Sequence, residues 1–148
     1  MFSQTAEYAL RAGIALAQQP DEPLTTDELA RRTKVPRNYL SKVLQMLVRE
    51  QVVTAIRGLH GGYQLRQPAS VLTIFDVVNA IEPLQRIHTC PLGLPEHGKH
   101  LCPLHRRMDD ALAEVERALK STTLEEVVRE PSPSVPLCPG SGWDTEGS

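Results

Sequence analysis

Apolar side chains recur every three or four residues along most of the chain, which predicts a series of amphipathic helices. The predicted segments cover about residues 4–18, 26–32, 36–50, 73–81 and 104–120. The apolar stripe of the third segment leaves one face of that helix polar and uncovered. One stretch, between the third and fourth segments, departs from the helical spacing.

That stretch alternates apolar and polar residues around a cluster of glycines, a pattern typical of a β-hairpin. Residues 52–56 are rich in β-branched side chains, Gly58, Gly61 and Gly62 supply the turn, and residues 63–65 alternate again. Two helices joined by a tight turn lie directly before it, the order of a helix-turn-helix followed by a wing. The predicted fold is therefore mostly α with a small β-hairpin: a winged helix-turn-helix followed by a long C-terminal helix.

Basic residues concentrate in the predicted helix-turn-helix and wing. The chain carries a formal net charge of -2, yet residues 31–66 contain eight basic residues and one acidic residue, and residues 67–148 contain seven basic and twelve acidic ones. A local excess of positive charge on this fold favours double-stranded DNA as the partner. The alternative is a winged-helix module that binds proteins, since a polar helix face by itself is an ordinary solvated surface.

The third helix and the wing carry side-chain types that bond base edges and phosphates. Asn and Gln suit adenine and Arg suits guanine, and a cation at a wing tip is placed to meet phosphate or to enter a minor groove. The wing histidine is equally compatible with a solvated turn. The candidate DNA-contacting residues are Arg37, Asn38, Tyr39, Ser41, Lys42 and Gln45 on the helix, and Arg57 and His60 on the wing.

Other classes of protein are less compatible with the sequence. The longest apolar stretch near the N-terminus, residues 12–17, is far shorter than the roughly 20 residues that a membrane span requires. We therefore expect a soluble, cytoplasmic protein without a membrane partner. No paired nucleophile and base lie on defined elements and no cofactor-binding loop is recognisable, so we do not expect an enzyme.

Cysteine and histidine cluster in residues 90–105, which contain two of the three cysteines and three of the five histidines. Proline and glycine keep this segment from helical geometry, and Cys102 and His105 share a face where the next helix begins. Thiolates favour zinc, copper(I) or iron-sulfur clusters over hard cations. The segment thus suggests a metal site, although no standard zinc spacing is present. Cys138 lies in a polar segment and is expected to be a solvated free thiol.

Over residues 2–126 the chain resembles the winged-helix regulators of the IscR and NsrR type. The most specific match is the wing, Arg57-Gly58 followed by Gly61-Gly62-Tyr63-Gln64-Leu65, and residues 36–40 at the start of the third helix support it. The resemblance implies a dimeric bacterial transcriptional regulator. Many members of that family sense iron, redox state or nitric oxide through an iron-sulfur cluster.

The resemblance also implies a set of cluster ligands. Relatives with a cluster commonly carry three cysteines in this loop; Cys90 and Cys102 match the outer two, and Glu96 stands where the middle one would be. The further ligand in relatives is a histidine, matched by His105, or an acidic residue on the first helix of the partner, matched by Glu7. Two thiolates with two such ligands suit a 2Fe-2S cluster. The sequence leaves open which of Glu7, Glu96, His97 and His105 completes the ligation.

Three alternatives remain at this stage. Glu7 is as compatible with an i,i+4 ion pair to Arg11 as with metal ligation. The stripe on residues 104–120 predicts a dimerisation helix, although periodicity does not distinguish packing within a chain from packing between chains. The regulator is expected to bind a palindromic operator as a homodimer, with or without a cluster.

The sequence thus divides into four parts. Residues 1–83 are expected to form the winged-helix DNA-binding domain, and residues 84–103 the cluster-binding loop. Residues 104–130 are expected to form the dimerisation helix and a short terminal helix. Residues 131–148 are rich in Pro, Ser and Gly, which predicts a disordered tail.

Overall fold

The computed structural model describes residues 2–94 and 100–137. Within them the chain forms six helices and one two-stranded antiparallel sheet, which confirms the predicted fold class. The elements in chain order are α1 (Gln4–Gln18), α2 (Thr26–Thr33), α3 (Arg37–Arg49), β1 (Val53–Ile56), β2 (Gly62–Leu65), α4 (Ile74–Ile81), α5 (Pro103–Lys120) and α6 (Leu124–Arg129).

Helix α1 lies at the centre of the fold because small residues let its neighbours approach closely. Ala9, Ala12 and Ala15 are fully buried on it. Gly13 faces α4 and α6, and a Cβ atom there would make ordinary van der Waals contact with Leu124 Cδ1 at 3.5 Å and Val77 Cγ2 at 3.6 Å. The core of the winged helix therefore forms around α1.

The predicted apolar stripe of α3 faces this core. Leu40, Val43, Leu44 and Leu47 are buried, and Val48, at the end of the predicted stripe, is half-buried against the core. Burial of this side orients the polar side of α3 to solvent.

Three helices begin at capping boxes, which fixes where each one starts. The pairs are Thr25 with Glu28, Thr73 with Asp76, and Thr123 with Glu126. Helix α3 begins differently: Pro36 is its N-cap and Arg37 its first helical residue, one position later than the sequence predicted. Pro36 supplies no side-chain cap because it has no polar group.

The wing is anchored to the body of the domain. Strands β1 and β2 pair from Val53 with Leu65 to Ile56 with Gly62. Leu24 then pairs with Tyr63 on the outer edge of β2, with N to O distances of 3.0 and 2.8 Å. A Cβ atom at position 62, where φ is +151°, would lie 2.6 Å from the Leu24 carbonyl oxygen. Glycine is required there because the two backbones meet.

Helix α5 stands apart from the core. It has 18 residues, and none of them is buried. The chain returns to the body at residues 122–124, where Ile74 N donates to the Thr122 carbonyl at 3.0 Å and Leu124 N donates to the Leu72 carbonyl at 2.9 Å. Among the described helices, none combines the length and the apolar character needed to cross a bilayer.

The C-terminal segment departs from the predicted disorder where the structure describes it. Within residues 131–137, the Gln18 Nε2 group donates to the Pro136 carbonyl at 2.8 Å, and Leu137 packs against the core cluster. Composition alone did not show this docking because it depends on contacts with a helix more than a hundred residues away. Residues 138–148, including Cys138, lie outside the described residues.

Candidate DNA-binding surface and cysteine loop

The solvent-facing side of α3 carries the predicted DNA-contacting residues. Arg37, Asn38, Lys42 and Gln45 are exposed, and Ser41 is half-buried. The Arg37 guanidinium forms an ion pair with Asp27 on α2. Both side chains are largely exposed, and an exposed pair of this kind contributes only about 0 to 1 kcal/mol. A DNA phosphate or a guanine can therefore compete for Arg37.

Tyr39, also predicted to contact DNA, connects α3 to α1. Its hydroxyl lies within hydrogen-bonding distance of the Thr5 hydroxyl. Its ring meets the Tyr8 ring edge to face, with 5.3 Å between centroids and an interplanar angle of 84°. The structure thus gives Tyr39 a structural contact that helical periodicity did not reveal.

Glu7 and Arg11 form the i,i+4 ion pair that the sequence allowed. The Arg11 Nε atom lies 3.1 Å from Glu7 Oε1. Arg11 Nη1 also donates at 3.1 Å to the carbonyl of Thr33, the last residue of α2. Glu7 is exposed. Its carboxylate is thus linked to the helix-turn-helix through one arginine.

The tip of the wing places Arg57, Leu59 and His60 in solvent. Gly61 N donates to the Gly58 carbonyl at 3.1 Å and closes the turn. A Cβ atom at position 61 would lie 2.2 Å from the Ile56 carbonyl oxygen, so the turn excludes any side chain there. Leu59 was not singled out by the sequence analysis; the only signal was an apolar residue within a glycine turn.

The cysteine loop brings two of the four proposed ligands together. Cys102 is the N-cap of α5, and its Sγ atom lies 3.3 Å from His105 Nδ1, as their i,i+3 spacing predicted. Cys90 is buried, and no disulfide joins it to another cysteine of the described residues. Over residues 2–94 and 100–137 of a single chain, no three His, Cys, Asp or Glu side chains form a group that could hold a metal ion. Glu96 and His97 lie outside the described residues.

An ion-pair cluster fastens the start of this loop to α5. Arg86 donates from Nε and Nη2 to both carboxylate oxygens of Asp109, each at 2.7 Å, and from Nη1 to Glu116 at 3.2 Å. Ile87 N donates to Asp109 Oδ1 at 2.8 Å, and Lys120 bonds Glu116 at 2.8 Å. Sequence reasoning missed this cluster because 23 positions separate Arg86 from Asp109 and no local pattern links them.

The hydrogen bonds of this cluster perturb its carboxyl groups. Donation from Arg86, and then from the Ile87 N–H, lowers the pKa of Asp109 from 3.8 to about 2. Donation from Lys120 and Arg86 lowers the pKa of Glu116. The folded state therefore stabilises the ionised form of both carboxyl groups.

The pH dependence of stability tests the role of Asp109. A carboxyl group whose pKa is depressed on folding stabilises the protein above its unfolded pKa, and this stabilisation is lost as the pH falls through the folded value. We expect Asp109→Asn to lower the free energy of unfolding by a constant amount near neutral pH. That difference should shrink as the pH falls from 3.8 toward about 2.

Urea unfolding of both proteins at a series of pH values measures this difference. The matched control is Asp110→Asn, which makes the same chemical change at the exposed neighbouring aspartate on α5 and should leave the free energy of unfolding near neutral pH close to that of wild type. A difference between wild type and Asp109→Asn that keeps its full size down to about pH 3 would contradict the assignment.

The fold and the α3 and wing surface define a winged-helix DNA-binding protein of the helix-turn-helix class. The chain belongs to the Rrf2 family: the family model, described as "Iron-dependent Transcriptional regulator", matches residues 2–130. The chain is therefore a DNA-binding transcriptional regulator, and the resemblance identified from the wing motif is confirmed.

Relatives and solved structures agree with this assignment. A protein of Aquifex aeolicus described as an HTH-type transcriptional regulator is 28% identical over 131 residues, which cover 86% of this chain and 91% of that protein. The structure of CymR, the global cysteine regulator of B. subtilis, matches with a TM-score of 0.74 at 22% identity, covering 89% of this chain and 98% of that one.

Two further structures extend the comparison. T. potens IscR matches with a TM-score of 0.69 at 21% identity, over 84% of this chain and 82% of that one. Staphylococcus aureus CymR matches with a TM-score of 0.66 at 26% identity, over 88% of this chain and 99% of that one. The similarity to both IscR and CymR extends over most of the chain.

Proposed function

We propose that this regulator acts as a homodimer that binds a palindromic operator and senses redox state, nitric oxide or iron-sulfur status through a 2Fe-2S cluster. DNA binding is supported by two features of the same domain: the exposed polar face of α3 and the wing, which is hydrogen-bonded to Leu24. The sensing part rests on the contact between Cys102 and His105 at the start of α5.

Helix α5 supports the homodimer. Leu104 and Met108 on its apolar stripe are 63% and 48% exposed, and Leu112, Val115 and Leu119 are half-buried. Most of the stability of a protein helix comes from packing of its apolar face, and no residue of α5 is buried within a single chain. The same stripe on a second copy would supply the missing packing. With one recognition helix per chain, the half-sites should lie about 10 base pairs apart, or a multiple of that distance.

The donor set has the chemistry that a 2Fe-2S cluster requires. Cys90 and Cys102 would supply thiolates, His105 an imidazole, and Glu7 of a second copy a carboxylate, two ligands for each iron. Because Glu7 would come from another chain, the set is complete only in a dimer. When bound, the cluster would supply one-electron redox chemistry and a target for nitric oxide.

The route from this site to DNA begins at Glu7. Its carboxylate pairs with Arg11, which also donates to the carbonyl of Thr33, the last residue of α2 before the turn to α3. If the Glu7 carboxylate instead binds a cluster iron, Arg11 loses its carboxylate partner but keeps its hydrogen bond to the Thr33 carbonyl. The two states of Glu7 would then bias the position of α3, the two-state element that a switch requires.

A regulator without a cluster is the second candidate. The described residues of one chain hold no group of three metal ligands. The fold matches that of CymR, the global cysteine regulator of B. subtilis. A structure of S. aureus CymR described as an oxidized form matches this chain at 25% identity. In this alternative the thiol of Cys102 beside His105 would respond to thiol chemistry directly. Iron and sulfide analysis of protein purified without oxygen separates the two candidates.

Two alanine variants test how the surface binds DNA. Asn38→Ala should relax base preference at one position of a duplex selected from a random pool, at a cost of about 1 to 3 kcal/mol, because it removes a base-edge contact.

Arg57→Ala should weaken binding to all sequences, because it removes one phosphate contact. The slope of log affinity against log salt concentration should become shallower by about 0.9.

Fluorescence anisotropy across a range of salt concentrations measures both effects. Arg129→Ala is the control, since it removes an exposed cation on α6, outside the helix-turn-helix and wing. If Arg57→Ala binds as tightly as Arg129→Ala at every salt concentration, the wing does not contact DNA.

A further inference from the structure

Leu59 at the wing tip is 94% exposed, the highest value among the large apolar side chains of the described residues. The next is Leu92, at 74%. Single exposed leucines are common on protein surfaces and by themselves indicate nothing. The position of Leu59 relative to the wing and its charges is what distinguishes it.

The backbone holds Leu59 in a defined place. The turn is closed by the bond from Gly61 N to the Gly58 carbonyl, and the strand that follows is fixed to Leu24 through Tyr63. Gln64 Nε2 also donates to the Pro20 carbonyl at 3.2 Å. The wing tip is therefore carried on a braced hairpin, so its side chains are presented in a fixed relation to α3.

The neighbours of Leu59 are cationic or titratable. Arg57 and His60 flank it, and both are exposed. A DNA minor groove has phosphates along both rims and deoxyribose walls between them, and it is about 6 Å wide. Proteins that bind this groove place basic side chains near the phosphates and apolar side chains such as leucine against the bases. A single leucine between two polar groups matches that arrangement and offers too little area for a protein partner.

We infer that Leu59 enters the minor groove beside the major groove bound by α3 and selects A·T over G·C base pairs there. The guanine N2 amino group projects into the floor of the minor groove as a donor, and an apolar side chain gives it no acceptor. A·T pairs lack this group. Leu59 would thus add sequence preference outside the bases that α3 reads, and this inference rests on the DNA binding proposed above.

The first test compares variants on a duplex selected from a random pool by the wild-type protein. Leu59→Ala should bind about five- to tenfold more weakly, as expected for partial loss of a buried leucine side chain, with the salt slope unchanged. Leu59→Met should retain most of the affinity. Val71→Ala, which truncates another exposed apolar residue outside α3 and the wing, should bind as wild type does. Thermal melting confirms that each variant is folded.

The second test changes only the minor groove. After footprinting locates the base pairs under the wing, an A·T pair there is replaced by G·C or by inosine·C, which lacks the N2 amino group. Wild type should lose affinity for the G·C duplex and regain it for the inosine duplex, and Leu59→Ala should not distinguish these two.

The outcomes separate this inference from the proposed function. Equal binding by Leu59→Ala and Val71→Ala, or equal wild-type binding to the G·C and inosine duplexes, overturns the role of Leu59 while DNA binding stands. Failure of the wild-type protein to select any duplex overturns both.

Discussion

Alanine in place of Cys90 or Cys102 is expected to abolish iron and sulfide incorporation when the protein is reconstituted without oxygen. Each cysteine supplies one of two thiolates in the proposed 2Fe-2S site, and the sequence offers no other cysteine in the loop to replace it. Iron and sulfide assays with the visible absorption spectrum measure the result. His105→Ala should instead give a labile or spectrally altered centre, because water can occupy its position.

The matched control for this experiment is Cys138→Ala, since Cys138 is the remaining cysteine and is predicted to be a free thiol. It should incorporate iron as wild type does. Thermal melting of Cys90→Ala shows whether loss of this buried side chain affects folding rather than ligation. Colourless wild-type protein, with a DNA affinity that is indifferent to reconstitution, would exclude the cluster and favour the cluster-free regulator.

Met108→Glu is expected to convert the dimer to a monomer and to weaken binding to a palindromic operator by about 100-fold or more. A charge in an apolar interface is costly to desolvate, and a monomer loses the effective concentration that binding at one half-site gives the other. Met108 is 48% exposed in the single chain, so the substitution leaves the fold of the monomer largely undisturbed. Light scattering and anisotropy measure mass and affinity.

Arg117→Gln controls for the change in charge, because both substitutions make the net charge one unit more negative. It lies nine residues further along α5 and thus on the opposite face of the helix, and its side chain is exposed. It should remain dimeric. A Met108→Glu protein that stays dimeric and binds the palindrome as wild type does would show that α5 packs only within its own chain.

Local patterns predicted the helices, their starts and the wing with good accuracy. The apolar spacing of α1 and α3 is a property of neighbouring residues, and the structure confirms both helices. The close contact of Cys102 with His105 was predictable for the same reason, because residues three apart share a helix face. The glycines of the wing also follow from local geometry, since a Cβ at Gly61 or Gly62 would meet backbone oxygen.

The sequence by itself thus determined the fold class, the exposed face of α3 and the family, because each depends on short-range periodicity and turn chemistry. Tertiary structure decided the rest. It joined Arg86 to Asp109, Tyr39 to α1 and Leu137 to the core, and it left Leu59 almost fully exposed. Contacts between residues far apart in the chain depend on how the helices pack around α1, and no pattern of neighbouring residues contains that information.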